Sequence, residues 1–505
     1  MRTRTIHNVA INSLGTVVSM VAGLLVMPFL IRQLGNSGYG LWTLVGTLTG
    51  YFGVLDLGVS SAVGRLVAGY RARGEFDRIN SVISTALCLL VAVALLVAMC
   101  TLGAVPVFFD LFSVPVAQGA DVRHALVIVG FAYALQFPLG VFAGVIWGYE
   151  RFDLQNLVDI PLTVARVALT FALIKPDSTL TRVAVIAVGT TFTGSVIKAG
   201  IVVWLVPTLR IARSKVTRAT VRQIYGFGIW MALLGLARSL VPQIGPTVVG
   251  YWLGPALVTT FMVARQLVTY TNIFAITATQ VMAPRAAANE ATGSSDAQLA
   301  LFMRGGRFAY ALALFFLGGF IGLGAQFIDL WQHGGQPASY GLLLVLLGGE
   351  LIPISQWLTY SVIVGANRHR VLGWLAIVEA ALTVTLAVAL LPLFGLLGVA
   401  CAVAFSSLLT RGVLQWLWGC RIMRVSPQDY ATHVFLPITG IALLPIVLLV
   451  IAGSLLRFET WVALLAAGIG YTFVFVFFLA PFLLGHRGLQ RLVHDAVGGS
   501  SRSAS

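Results

Sequence analysis

The chain has 505 residues, of which 58% are hydrophobic and only 10% charged, with a mean hydropathy of +0.94. A soluble domain carries about 25% charged residues, so this balance excludes a water-soluble globular protein and predicts a polytopic membrane protein. The formal charge of +15 does not indicate nucleic-acid binding, because the basic residues are scattered between long apolar runs rather than gathered on a soluble module.

Runs of about 20 apolar residues predict transmembrane helices near 9–31, 40–64, 81–105, 125–148, 156–174, 183–206, 226–253, 255–283, 307–330, 340–365, 371–391, 397–417, 433–456 and 461–484. The first follows a basic start but is long enough to span, and no A-x-A site follows it, so it is expected to remain as an uncleaved helix. Cytoplasmic loops retain Lys and Arg. With the N-terminus inside, inner segments hold 22 basic residues and outer loops five, while Arg166, Lys198, Arg238, Arg265 and Arg411 fall within spans. Both termini are therefore expected in the cytoplasm. All tryptophans but Trp357 lie near predicted span ends, as an interfacial belt requires.

In the second span, YFGVLDLGVSSAVGR places Asp56 within an apolar run. A carboxylate at the bilayer centre costs roughly 2.5–3.5 kcal/mol on insertion scales, so Asp56 is expected to face protein or water and to pair with an arginine. A titrating role in coupling is the second reading. On span 5, Asp159 and Arg166 share a face two turns apart and are expected to pair. The stretches LIRQLGNSGYGLWTLV and VVGYWLGPALVTTFMVA echo each other around Leu34-Gly35 and Leu253-Gly254, with six spans between them. An even number keeps both copies in one direction, which predicts two six-helix lobes related by an axis along the membrane normal. The join, PTLRIARSKVTRATVRQIYG, has five basic residues and no acidic one. It is suited to an anionic leaflet, and equally to plain retention of positive charge inside.

Arg238 and Arg265 lie near mid-depth in spans 7 and 8, and two cations at one level require an anion. Pro242 removes the amide that would bond the Arg238 carbonyl and Pro246 follows, so this helix is expected to kink or open there. A planar guanidinium binds phosphate oxygens in pairs. The arginines therefore point to a phosphate or pyrophosphate headgroup, or else to neutralisation of a buried acid such as Glu350 or Glu379. Glu350 precedes Pro353 by three residues and is open to a proton, a sodium ion or an arginine. Lys198 and Arg411, nearer span ends, are expected to snorkel.

The chain has no G-x-x-x-x-G-K-[ST] loop and no H-E-x-x-H, and its four cysteines lack metal-ligand spacing, so ATPase, metallohydrolase and disulfide-framework readings fall away. No metal site or cofactor is expected. Any driving energy comes from a proton or sodium gradient.

The opening AINSLGTVVSMVAGLLVMPFLIRQLG, followed by GYGLW and LDLGVSSAVGR, and later TATQVMAPRAAA and LPLFGLLGVACAVAFSSLL, resembles the polysaccharide transporter, or O-antigen flippase-like, family of the multidrug/oligosaccharidyl-lipid/polysaccharide exporter superfamily. The resemblance covers spans 1 to 12, with Asn36-Ser37 standing where a charge often follows the first Leu-Gly turn. It implies an all-α fold of two six-helix lobes around a central cationic cavity, with 1–206 and 226–420 as lobes. Residues 207–225 form a basic linker, 421–484 two peripheral helices and 485–505 a tail. It further implies a non-enzymatic exporter of the bacterial inner membrane. Such an exporter takes a polyprenyl-pyrophosphate-linked oligosaccharide to the outer leaflet by alternating access. Its partners would be membrane lipids and a polymerase or glycosyltransferases.

Arg238, Arg265, Arg166 and Gln243 are then the candidate contacts for pyrophosphate and glycan. Asp56, Glu350, Glu379, Pro242, Pro246 and Pro353 are the candidates for coupling or gating. Two rivals remain: a cation-coupled multidrug antiporter of the same fold, and a non-transporting scaffold of a glycan-assembly complex.

Overall fold

The computed structural model describes residues 2–176, 178–280, 295–365, 368–456 and 458–498, with the side chains of 2–11, 54, 226–234, 236–238, 280, 295–297, 365, 369 and 484–498 outside the description. Most of TATQVMAPRAAA thus lies outside the described residues. Among those described there is no strand. Among the described residues, ten helices are long and apolar enough to cross a membrane. One of them, 54 residues long, holds the expected spans 371–391 and 397–417, while the 41-residue helix stops at Phe52 and holds only the first half of the expected span 40–64 after the span 9–31.

The chain divides into two compact units, Met1–Phe261 and Met262–Ser505. The first contains α1 (Arg2–Phe52), α2 (Val59–Ala72), α3 (Phe76–Leu111), α4 (Gly119–Gly148), α5 (Phe152–Leu173), α6 (Leu180–Leu205) and α7 (Arg218–Trp252), and α8 (Pro255–Gln280) begins in it. The linker expected at 207–225 is followed by a helix that packs on α1, α2 and α3, so α7 belongs to the first unit. It runs unbroken through Pro242 and Pro246 instead of opening.

Apart from α2, the helices of this unit present large apolar side chains outward, such as Leu95, Met99 and Leu102 on α3. Apolar exposure repeated at helical spacing on successive helices is what lipid, rather than water, would cover. Inside, α2 and α4 approach at Gly64 and Gly148, where the backbone carbonyl of Gly64 leaves no room for a methyl group at Gly148. The core between them is built from Val63, Val67, Ile83, Val141 and Val145.

The two Leu-Gly turns that echo in the sequence share a conformation. Gly35 has φ 71° and Gly254 has φ 86°, backbone angles that favour glycine. They also meet: Thr259 Oγ1 donates to the Asn36 carbonyl at 2.6 Å, and Gly40 lies directly against the Pro255 carbonyl.

The second unit takes the rest of α8, then α9 (Ser295–Gln332), α10 (Ala338–Ser355), α11 (Trp357–Gly365) and α12 (His369–Ser407). A π-helical segment (Leu408–Leu414), α13 (Gln415–Met423), α14 (Pro427–Tyr430), α15 (Leu436–Leu455) and α16 (Trp461–Gly498) follow. The expected span 340–365 is broken two residues after Pro353, where α10 ends and Trp357 starts α11. Helices α9, α15 and α16 share a core of Leu314, Ala442, Tyr471 and Phe475, with Phe315 and Tyr471 stacked at 5.1 Å.

Candidate functional site

A cluster of charge inside the first unit lies on α5 and α6, beside α4. Helix α5 exposes Leu157, Val164 and Phe171 along one apolar face. Asp159 and Arg166 are each two residues beyond a member of that row, about 200° around the helix. They therefore face away from the apolar side. There they line a cavity of about 290 Å³ together with Gln136, Thr163, Thr191 and Lys198. That volume is at the lower end for a small-ligand pocket.

Asp159 does not pair with Arg166. Its carboxylate is 2.7 Å from the Lys198 ammonium, which comes from α6 and is only 14% exposed. Lys198 thus turns inward instead of snorkelling, because a carboxylate on the neighbouring helix is closer than the membrane surface. The Arg166 guanidinium is left with no hydrogen bond or ion pair among the described residues. Ser195 Oγ donates to Gln136 Oε1 at 2.7 Å, fixing the amide at the cavity wall. The site holds two cations and one carboxylate, ringed by hydroxyl and amide groups, and so has an excess positive charge available to an anion.

The second unit treats its charges differently. Arg411 Nε donates to both oxygens of Glu379, at 2.9 and 3.1 Å, and its two terminal nitrogens reach Glu350 at 3.2 and 2.6 Å. Ser407 Oγ donates to Glu350 Oε1 at 2.8 Å, and the Asn272 amide approaches the other oxygen at 3.4 Å. Neither acid is left open. Arg411 was expected to snorkel, but the π-helical segment carries it into the bundle, where an extra residue in one turn re-aims the side chain. Arg265 lies within electrostatic range of Glu350, Glu379 and Arg411 without hydrogen-bonding to them. Its charge offsets the net negative charge of the Glu-Arg-Glu triad.

Asp56 also has a different role from the one expected. Residues Gly53–Asp56 form a 3-10 turn, and Leu57 and Gly58 follow with φ of 47° and 76°, so α2 starts afresh at Val59. The Asp56 carboxylate accepts from Ser60 Oγ at 2.6 Å and from the Ser60 amide at 3.4 Å. Its described partners include no arginine. A helix start leaves amides unpaired, and a nearby carboxylate satisfies them and suits the positive end of the dipole. Tyr133 and Tyr225 lie within electrostatic range of it.

Gln243 rests over Gly50, its amide nitrogen 2.6 Å from where a methyl group would stand. Beside it, Thr247 donates to the Gln243 carbonyl and bonds Tyr51. The Arg238 side chain lies outside the described residues. Of the four candidate ligand contacts, only Arg166 lines a described cavity. Lys198 and Arg411 are the charged residues whose partners sequence reasoning missed. The only signal in the chain was their position within otherwise apolar spans.

A family profile described as "Polysaccharide biosynthesis protein" matches residues 5–289, more than half of the chain. The chain belongs to this family. It is 23% identical over 489 residues to "Uncharacterized membrane protein EpsK" of Bacillus subtilis (strain 168), covering 93% of this chain and 94% of the relative. It is 20% identical to "Putative O-antigen transporter" of Shigella flexneri, over 82% of this chain and 97% of that one. Among solved structures, "Lipid II flippase MurJ, inward closed conformation" superposes with a TM-score of 0.71 at 14% identity, over 93% of this chain and 99% of the other. That likeness places the chain in the same all-helical fold. The family, the fold and the ten apolar helices together make it a multi-pass membrane protein of polysaccharide biosynthesis.

Proposed function

We propose that the protein is a flippase that carries a polyprenyl-pyrophosphate-linked oligosaccharide from the inner to the outer leaflet of the cytoplasmic membrane. The observation that carries this reading is Arg166, a guanidinium without a counter-anion among the described residues, on the wall of a polar cavity and on the side of α5 opposite its apolar face. Sequence relatives that include a putative O-antigen transporter, and the MurJ-like fold, support the same class of cargo.

The physical problem is the headgroup. Taking a sugar and a pyrophosphate through hydrocarbon without partners is prohibitive, since each unsatisfied polar group costs several kcal/mol. A cavity lined by Gln136, Thr163 and Thr191 replaces water around the hydroxyls, and Arg166 supplies a two-pronged donor for phosphate oxygens. The polyprenyl chain stays in lipid. In this reading Arg166 is the primary phosphate contact, with Arg238 and Gln243 on α7 as further contacts in its unit, and Arg265 on α8 is a separate candidate in the second unit. Asp56, Glu350 and Glu379 with Pro242, Pro246 and Pro353 belong to coupling or gating, which a proton or sodium gradient drives. Both termini are cytoplasmic. A polymerase or glycosyltransferases are the protein partners.

The function is tested by deleting the gene and labelling lipid-linked oligosaccharide in the outer leaflet, with rescue by wild type or Arg166→Ala at matched expression. Accumulation of unflipped precursor, cured by wild type and poorly by the variant, is expected. Normal flipping with altered tolerance to cationic drugs would favour the antiporter. Normal flipping with disrupted glycan-complex assembly would favour the scaffold.

A further inference from the structure

Residues 207–226, which join α6 to α7 and include the first turns of α7, have five cations and no acid, but they are not a loose, solvated tether. Asn80 of α3, only 3% exposed, donates to the Thr208 carbonyl at 2.8 Å and accepts from the Arg210 amide at 3.1 Å. Ser84, one turn further along α3, accepts from the Ala212 amide at 3.3 Å. Lys215 closes the clasp on Asp77 at 2.9 Å, and Thr217 then caps the first turn of α7 by accepting from the Thr220 amide. Polar side chains buried on α3 thus hold the linker backbone at every second residue, from Thr208 to Ala212.

The clasp leaves Arg210, Arg213, Arg218 and Arg222 exposed on a fixed frame. None of the four guanidiniums has an ion pair or hydrogen bond among the described residues. Asp77 lies within electrostatic range of Arg210, but Lys215 already holds it. Arg218 and Arg222, four residues apart on one face of α7, line a cavity of about 460 Å³ with Ala219, Val221 and Tyr225. Ile211 stands in the middle of the basic segment, 52% exposed.

From this geometry we infer a binding site for the headgroups of anionic phospholipids, built from Arg210, Arg213 and the Arg218–Arg222 cavity. Fixed arginines with no internal acceptor match phosphodiester oxygens. A lipid is favoured over an acidic protein because the segment begins at the end of α6, a helix long and apolar enough to span, and carries an exposed isoleucine beside its arginines, as suits a headgroup region that meets acyl chains. In the orientation proposed above, the site faces the inner leaflet. The inference does not depend on what the protein transports.

The test uses the purified full chain in mild detergent. Native mass spectrometry would count bound phosphatidylglycerol, phosphatidylcholine and a short-chain polyprenyl pyrophosphate. Wild type should retain phosphatidylglycerol over phosphatidylcholine. The R210A/R213A/R218A/R222A variant should lose that preference by more than about tenfold, with an unchanged melting temperature. R218A/R222A, which alters only the cavity, should account for most of the loss and decides the matter if the fourfold variant does not fold. Equal retention of phosphatidylglycerol by wild type and variants would overturn the site. So would loss of polyprenyl pyrophosphate with phosphatidylglycerol kept, since the arginines would then belong to the substrate path.

Discussion

Two groups of charge set within apolar helices, one in each unit, are assembled from the same residue types to opposite effect. In the second unit Arg411 spends its donors on Glu350, Glu379 and Ser407, and nothing in the triad is left to offer a ligand. In the first unit Asp159 satisfies Lys198 and leaves Arg166 on a cavity wall. A closed network holds helices in register, whereas an open one keeps a charge in wait for a partner. Counting intramembrane arginines therefore says little about binding. What matters is how many remain after the carboxylates have chosen theirs.

The comparison breaks most sharply at Arg411. Arg411→Ala leaves two buried carboxylates without their cation, a loss of about 3–5 kcal/mol. It should lower both the melting temperature and the yield of folded protein. E350Q/E379Q/R411Q should recover most of that loss, and if it does not, the triad is not the source of the stability.

Arg166→Ala should do the reverse, with melting unchanged and transport reduced. Removing a hydrogen bond to a charged group costs about 1.5–3 kcal/mol, roughly a tenfold to hundredfold loss in flipping rate. Arg166→Lys should recover part of it, because a point charge remains without the fork. If Arg166→Ala melted early instead, the open and closed descriptions would have to be exchanged.

Asp56→Ala tests a third kind of buried charge, one that serves the backbone. Loss of its contact to the start of α2 should cost about 1 kcal/mol in thermal unfolding. Asp56→Asn, which retains an acceptor oxygen, should cost less.

The smallest effect belongs to Asp159→Asn. With the carboxylate 45% exposed, its pair with Lys198 is worth well under about 1 kcal/mol. Freeing Lys198 should tighten binding of pyrophosphate measured by calorimetry, and weaker binding would mean that Asp159 orients the site.

Much of the fold was legible because a span is written locally, in about 20 consecutive apolar residues. The turns at Gly35 and Gly254 were also legible, as a repeated Leu-Gly, and both prove to have positive φ. The pairing of charges was not. Asp159 and Arg166 share a helix face, and periodicity along one helix suggested that they would bond. The winning partner, Lys198, lies 39 residues away on α6, and one-dimensional spacing does not report distance between helices. Arg411 was obscured by a π turn, since a 3.6-residue period aims every side chain beyond an inserted residue wrongly. Pro242 and Pro246 overstated the break in α7 for a related reason. Neighbouring helices can sustain a helix through proline, and α7 has α1, α2 and α3 around it.

The π segment at Leu408–Leu414 makes the charge balance of the second unit a matter of chain length as well as residue identity. Removing one residue there would restore an ordinary α-helical turn. Every residue on one side of the deletion would then swing by about 100° relative to those on the other. Arg411 would leave Glu350 and Glu379 even though all three were still encoded. An alignment scoring only substitutions would call such a chain nearly identical, yet it would have lost the counterion of two buried acids. Within this family, the register of these few residues deserves the scrutiny usually given to side-chain changes.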